Sequence, residues 1–274
     1  MSSINILEKI ESLPPLPKTI IEIEEFRKKL NKEAIDLLEI IEKDALIIST
    51  LLKISNSAMF GFRSRVETPA RAVSLLGINF TISIAIAGTV QNLLKSDLEP
   101  YGVNVNDFMK ASNTASILAN LWLSKIDLAL KEEIVLPALL QETGKFILAD
   151  YIKQENLSET FREKVDLGEL IEDVERNLLG ITTSQVTAQI FRHWKLSDKL
   201  VNMIENVDNI SNVSDEYKKQ TQILEVIKTA AYIKNPLSDE NVKKAIEKAS
   251  KYKLDITSLK NAITTLKDRV DNML

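Results

Sequence analysis

The stretch IVLPALLQETGKFILAD, residues 134–150, decides how this chain is read. Two apolar arms, 134–140 and 146–149, flank a polar knot of Gln141, Glu142, Thr143, Gly144 and Lys145. The arms have no polar face, so a helix made from them must be covered on every side. A buried polar group without a partner costs roughly 1–3 kcal/mol. The knot therefore lies against a pocket or is tied off by neighbouring helices. The pattern predicts one central helix over 131–151.

The rest of the chain agrees with a helical interior. It has 274 residues, 45% hydrophobic and 27% charged, with a net charge of −4. That length suits one large domain or one domain with a small extension. Only seven Gly and seven Pro interrupt long Leu/Ile/Lys/Glu runs, which points to an all-α protein. The absence of Cys removes disulfides, thiolate nucleophiles and thiolate metal sites together. The first residues lack the charged-then-apolar order of a secretion signal. The most apolar run, 78–90, is about 13 residues where a membrane span needs about 20. The expectation is a soluble, cytoplasmic protein without a membrane partner. Its mildly acidic balance exerts no general pull on nucleic acid.

Local signals divide the chain into helices. A short amphipathic helix over 4–13 stops at Leu13-Pro14-Pro15-Leu16-Pro17, a stiff extended connector. Helices follow over 19–30, near 35–41, and over 45–54 with Asp44 as cap. Thr68-Pro69 opens a short helix that Gly77 closes. A buried helix runs from 78 to 95. Asn106 caps a helix over 107–124, the central helix follows, and further helices occupy 169–179, 182–194, 197–206 and 215–234. Two more fill residues 238–274, and residues 236–274 read as a C-terminal helical extension packed on a main domain of residues 1–235.

Three local patterns fall in order: Leu13-Pro14-Pro15-Leu16-Pro17, then Ile54-Ser55-Asn56-Ser57-Ala58 with Phe60-Gly61, then a helix ending Leu75-Leu76-Gly77. Together they resemble the HDOD family, the HD-related output domains of bacterial signalling proteins. The likeness runs over residues 8–235 and implies a multi-helix HD-like bundle. The related HD hydrolases are helical phosphohydrolases that hold divalent metal through His residues on several helices and a central His-Asp doublet. HDOD domains usually depart from that pattern and are helical regulatory modules.

By that resemblance, the doublet falls on Gln141-Glu142. Other ligand positions fall near Ala111, at Thr183, near Glu205-Asn206 and near Ala230 or Ala231. Gln offers a neutral amide and Ala no donor at all, so these residues suit neither zinc, iron nor manganese. The count of His supports the same exclusion, because His193 is the only one. It lies between Arg192 and Trp194 near a helix end, which suits a surface or interhelix role. Two-metal hydrolysis needs several bridging ligands, and a Cys- or His-based nucleophile pair has no material. The expectation is no metal, no cofactor and no catalytic residue. Ala111, Gln141, Glu142, Lys145 and Thr183 would line a vestigial cleft. Within the knot, Glu142 would pair with Lys145 and Gln141 would bond to backbone. The alternative is a receptor for a cyclic nucleotide or dinucleotide, with Gln141, Thr143 and Lys145 as polar contacts.

A second candidate region is a docking patch of Phe60, Phe62, Arg63, Arg65 and Arg71, opposed by Glu67 alone. It reads either as a rigid turn with packed aromatics and solvated arginines, or as a dock for an acidic partner or a phosphate. Three arginines are too few for general nucleic-acid binding. Apolar positions at helical spacing in 238–274 either pack on the main domain or mediate self-association. The resulting expectation is a non-catalytic signalling module that acts through protein partners. With no receiver or cyclase domain in the sequence, it would act in trans.

Overall fold

The computed structural model describes residues 2–62, 64–94 and 96–271. Among them are sixteen α-helices and no strand. The first half holds α1 (Ser2–Glu11), α2 (Lys18–Arg27), α3 (Ala34–Ile41), α4 (Ala45–Ser55), α5 (Pro69–Leu76) and α6 (Ile78–Leu93). The middle holds α7 (Val105–Leu123), α8 (Leu128–Leu140), α9 (Lys145–Gln154), α10 (Ser158–Asp166), α11 (Ile171–Leu179) and α12 (Thr183–His193). The chain ends with α13 (Asp198–Glu205), α14 (Lys218–Ala230), α15 (Asp239–Lys251) and α16 (Ile256–Asp271).

Caps set several starts as the residue types require. Asp44 accepts from the Leu46 and Ile47 amides, and Thr68 accepts from Arg71 N ahead of Pro69. The start of α7 differs from expectation. Asn104, not Asn106, is the cap, because Asp107 reaches back to the Asn104 amide and completes a capping box.

α6 is buried from Phe80 to Val90 and packs on α4, α5 and α8. α7 lies along α8, and α14 packs on both. The proline segment is held by the end of α12. Trp194 Nε1 donates to Pro14 O at 2.9 Å, and His193 Nε2 lies 3.4 Å from Leu13 O. α15 and α16 turn their apolar stripe inward: Ala245, Ala249, Leu259, Ile263 and Leu266 are buried. α15 packs on α14 and α16 on α7. Trp122 Nε1 donates to Asp255 O at 3.0 Å. Lys248 pairs with Glu225 at 2.7 Å, and the Tyr252 hydroxyl donates to the same carboxylate.

The central stretch is buried throughout both arms, but it is not one helix. It breaks between α8 and α9 at residues 141–144. There the backbone tightens to three-residue spacing, with Thr143 N donating to Leu140 O and Lys145 N to Glu142 O. The freed Gly144 amide donates instead to Thr187 Oγ1 on α12, at 2.8 Å. That hydroxyl lies within 3.1 Å of Gln141 O and 2.8 Å of Thr183 O. α12 comes so close that a β-carbon on Gly144 would meet Thr183 O at 2.4 Å. Side-chain periodicity could not reveal the break, because its cause is a hydroxyl forty-three residues away.

Candidate functional site

Residues 141–144 end beside a cleft of about 570 Å³ between α7, α8, α14 and α15. Ala111, Gln141, Glu142 and Lys145 all line it, as does Ala231. Thr183 lies behind Lys145 and bonds to it. The ligand positions carried over from the hydrolases therefore converge in space, except near Glu205. The Glu205 carboxylate turns away to Arg192, and Asp208 takes the place in the cleft.

Five charged side chains meet at its floor and directly beneath it, Glu175 being fully buried. Lys145 Nζ sits 2.8 Å from Glu142 Oε2, 3.6 Å from Glu175 Oε1 and 3.1 Å from Thr183 Oγ1. It also lies over the Tyr101 ring, 4.9 Å from the centroid. Lys228 Nζ is 2.5 Å from Asp208 Oδ1 and forms an ion pair with Glu142 Oε1 at 3.3 Å. Asp208 Oδ2 accepts from Ser184 Oγ at 2.6 Å. Glu175 accepts from the Tyr101 hydroxyl at 2.9 Å, Thr183 Oγ1 at 2.5 Å and Thr183 N at 2.6 Å.

Burial works against every charge here, and the partners decide the outcome. For Glu142, burial alone would raise the carboxyl, but Lys145 and Lys228 outweigh it and hold it below its ordinary range. Asp208 follows the same balance and is held far lower, mainly by Lys228. Burial would lower Lys145, yet Glu142 and Glu175 keep it above its usual value. Burial likewise opposes the charge on Lys228, but Asp208 and Glu142 hold it well up. Glu175 is the exception: its burial raises the carboxyl more than Lys145 and Lys228 lower it. Burial, then Glu175, push the Tyr101 phenol far up, so it remains a donor.

Lys145 and Glu142 pair as the sequence predicts. The Gln141 expectation is corrected, since its carboxamide oxygen is buried without a hydrogen-bond partner. The Lys145 ammonium is engaged within the protein by Glu142, Glu175 and the Thr183 hydroxyl. Thr143 is fully buried and does not line the cleft. Glu175, Asp208, Lys228 and Tyr101 were missed. Each stands in an ordinary helical or loop pattern, and only the fold brings them to residue 145.

These residues do not fit a divalent metal. Among the described residues, no group of three or more His, Cys, Asp or Glu side chains is arranged to hold one. Glu142, Glu175 and Asp208 are paired with the ammonium groups of Lys145 and Lys228 instead.

The second region is a groove of about 870 Å³ lined by Lys53, Asn56, Phe62, Arg65, Val66 and Glu67 among others. Asn56, from the Ile54–Ala58 pattern, shapes it. Its amide donates to Leu52 O and Val66 O, and its oxygen accepts from Val66 N, all at 2.8 Å. Phe60 and Phe62 pack as the rigid-turn reading expects. They are half-buried and stack at 5.8 Å, with Phe60 edge-on to Phe80 at 5.5 Å. Arg65 and Arg71 are exposed; Arg63 lies outside the described residues.

The all-helical fold is shared with solved structures at low sequence identity. Residues 13–210 match the family model of the HDOD domain, and the chain belongs to that family. A protein from Shewanella amazonensis SB2B with a provisional phosphohydrolase name superposes with a TM-score of 0.74 at 21% identity, over 96% of this chain and 94% of that one. A protein from Marinobacter aquaeolei VT8, provisionally named for signal transduction, gives a TM-score of 0.72 at 23% identity, over 97% of this chain and 60% of that one. At these identities the likeness speaks for the fold. An uncharacterized protein of Treponema pallidum (strain Nichols) is 21% identical over 216 residues, 78% of this chain. The chain spans 41% of that relative's length. No single helix among the described residues is long and apolar enough to cross a membrane.

Proposed function

We propose that this HDOD chain is a non-catalytic, cytoplasmic regulatory module that works by docking an acidic segment of a protein partner. One observation carries the non-catalytic part: every carboxylate of the cleft floor is engaged by Lys145 or Lys228. A hydrolytic metal would have to displace two ammonium ions that their surroundings keep protonated. Two-metal phosphoester cleavage needs free bridging ligands, and here the lysines hold the negative charge that a metal would use.

The docking part rests on the groove beside α4. Lys53 and Arg65 line it together with Glu67, Arg71 follows on α5, and none of these three cations has an ion pair among the described residues. Leu52, Phe62 and Val66 supply apolar lining between the cations. Such a surface suits an acidic segment with an apolar anchor. The Marinobacter protein's provisional name is compatible with a signalling role.

The test has two arms. Purified protein with Mn²⁺, Mg²⁺ or Fe²⁺ is expected to show no turnover of bis(p-nitrophenyl) phosphate. Metal-stimulated turnover abolished by Glu142→Ala would overturn the reading. In affinity capture from the native cell, Arg65→Glu with Arg71→Glu is expected to lose the partner while keeping the wild-type melting temperature. Unchanged capture would remove the docking assignment.

A further inference from the structure

The ion network accounts for the charged groups at the floor of the cleft and leaves two uncharged ones over. Gln141 is 2% exposed and Ser112 is 3% exposed, and both line the cleft. Neither the Gln141 carboxamide oxygen nor the Ser112 hydroxyl has a hydrogen-bond partner. Other hydroxyls on α7 behave differently: Thr114 donates to Lys110 O and Ser116 to Asn113 O. A buried polar atom left unpaired is costly and calls for an occupant that completes it.

The surroundings define what that occupant is. Ala111, Ala115 and Ala138 give a smooth wall with little bulk, and Tyr232 adds an aromatic ring. The volume is that of a small-molecule site. The floor offers no free cation, since Lys145 and Lys228 are bound to carboxylates. A phosphate is therefore not what the deep end reads. A carboxamide presents a donor beside an acceptor, the complement of a heterocyclic base edge.

We propose that the cleft binds an uncharged planar heterocycle of nucleobase type, read by the Gln141 carboxamide and the Ser112 hydroxyl. This inference does not depend on the groove beside α4. The base can belong to a nucleoside or to a nucleotide. A nucleotide's phosphate would be met by Lys251, a solvent-exposed lysine of α15 that lines the same cleft.

Calorimetry on the full chain with adenosine, guanosine, cytidine, uridine and their 5′-monophosphates tests this. At least one nucleoside should bind saturably, and Gln141→Met should weaken it by about tenfold or more. Without probe, Gln141→Met should melt no lower than wild type, because it removes an unpaired buried amide. Ser112→Ala supplies an independent second variant, also weakened. Absence of saturable binding by every nucleoside overturns the proposal. So does binding that Gln141→Met and Ser112→Ala leave unchanged, or binding of monophosphates alone that depends on Lys251 and not on Gln141.

Discussion

Lys145 and Glu175 face each other across 3.6 Å with 1% and 0% of their side chains exposed. Neither could be placed there alone. The ammonium is held by Glu142, Glu175 and the Thr183 hydroxyl, and the Glu175 carboxylate by Tyr101 and two atoms of Thr183. This contact joins α9 to α11 and, through Thr183, to the start of α12.

Removing one partner should cost far more than the pair contributes. Lys145→Met leaves Glu175 buried without its cation and Glu142 with Lys228 alone, and is expected to destabilise by about 3–5 kcal/mol. Urea denaturation measures it. Adding Glu175→Gln should recover part of the loss, so the double variant is more stable than the two single losses would sum to. Strict additivity would mean that the contact carries no coupling.

Acid should weaken the fold through Asp208 and Glu142. Their folded-state pKa values lie below the ordinary ones. Their contribution is therefore present above about pH 4 and is lost as pH falls through the depressed values. Glu175 has the opposite sign, since its folded value is raised. Its favourable contribution exists below about pH 4 and disappears as pH rises through the raised value. Denaturation midpoints from pH 2 to 8 should fall less steeply on the acid side for Asp208→Asn than for wild type. Identical slopes would place the acid lability elsewhere.

The break between α8 and α9 depends on Thr187. Thr187→Val strands the Gly144 amide in the interior and should cost about 1–3 kcal/mol. Gly144→Ala should cost at least as much, because its β-carbon would meet the α12 backbone at 2.4 Å from Thr183 O. Thermal melts of both variants provide the check, and a Gly144→Ala protein melting like wild type would contradict the close approach.

Residues 238–274 bury Leu259, Ile263 and Leu266 against the main body. Ending the chain at residue 237 should expose the facing surface of α7, increase binding of a hydrophobic dye and lower the melting temperature. An unchanged melt would show that the extension is an independent addition.

Much of the fold could be read from the residues in order. Long apolar periodicity, scarce Gly and Pro, and caps such as Asp44 and Thr68 act within a few residues, so helix type and many boundaries follow locally. The HDOD patterns at 13–17 and 54–61 are local too. The donor atoms that Ala111, Gln141 and Thr183 offer are local as well, because they are a property of each side chain's identity. What only the tertiary structure decided were relations between distant residues. The central helix breaks because Thr187 takes the Gly144 amide. Phe60 packs edge-on to Phe80, and Phe62 stacks on Phe60. Lys228, Asp208 and Glu175 join Lys145 because four helices converge there. Hydrogen bonds and ion pairs are decided by distance in space. A helical sequence specifies each residue's neighbours one turn away and leaves the rest to packing.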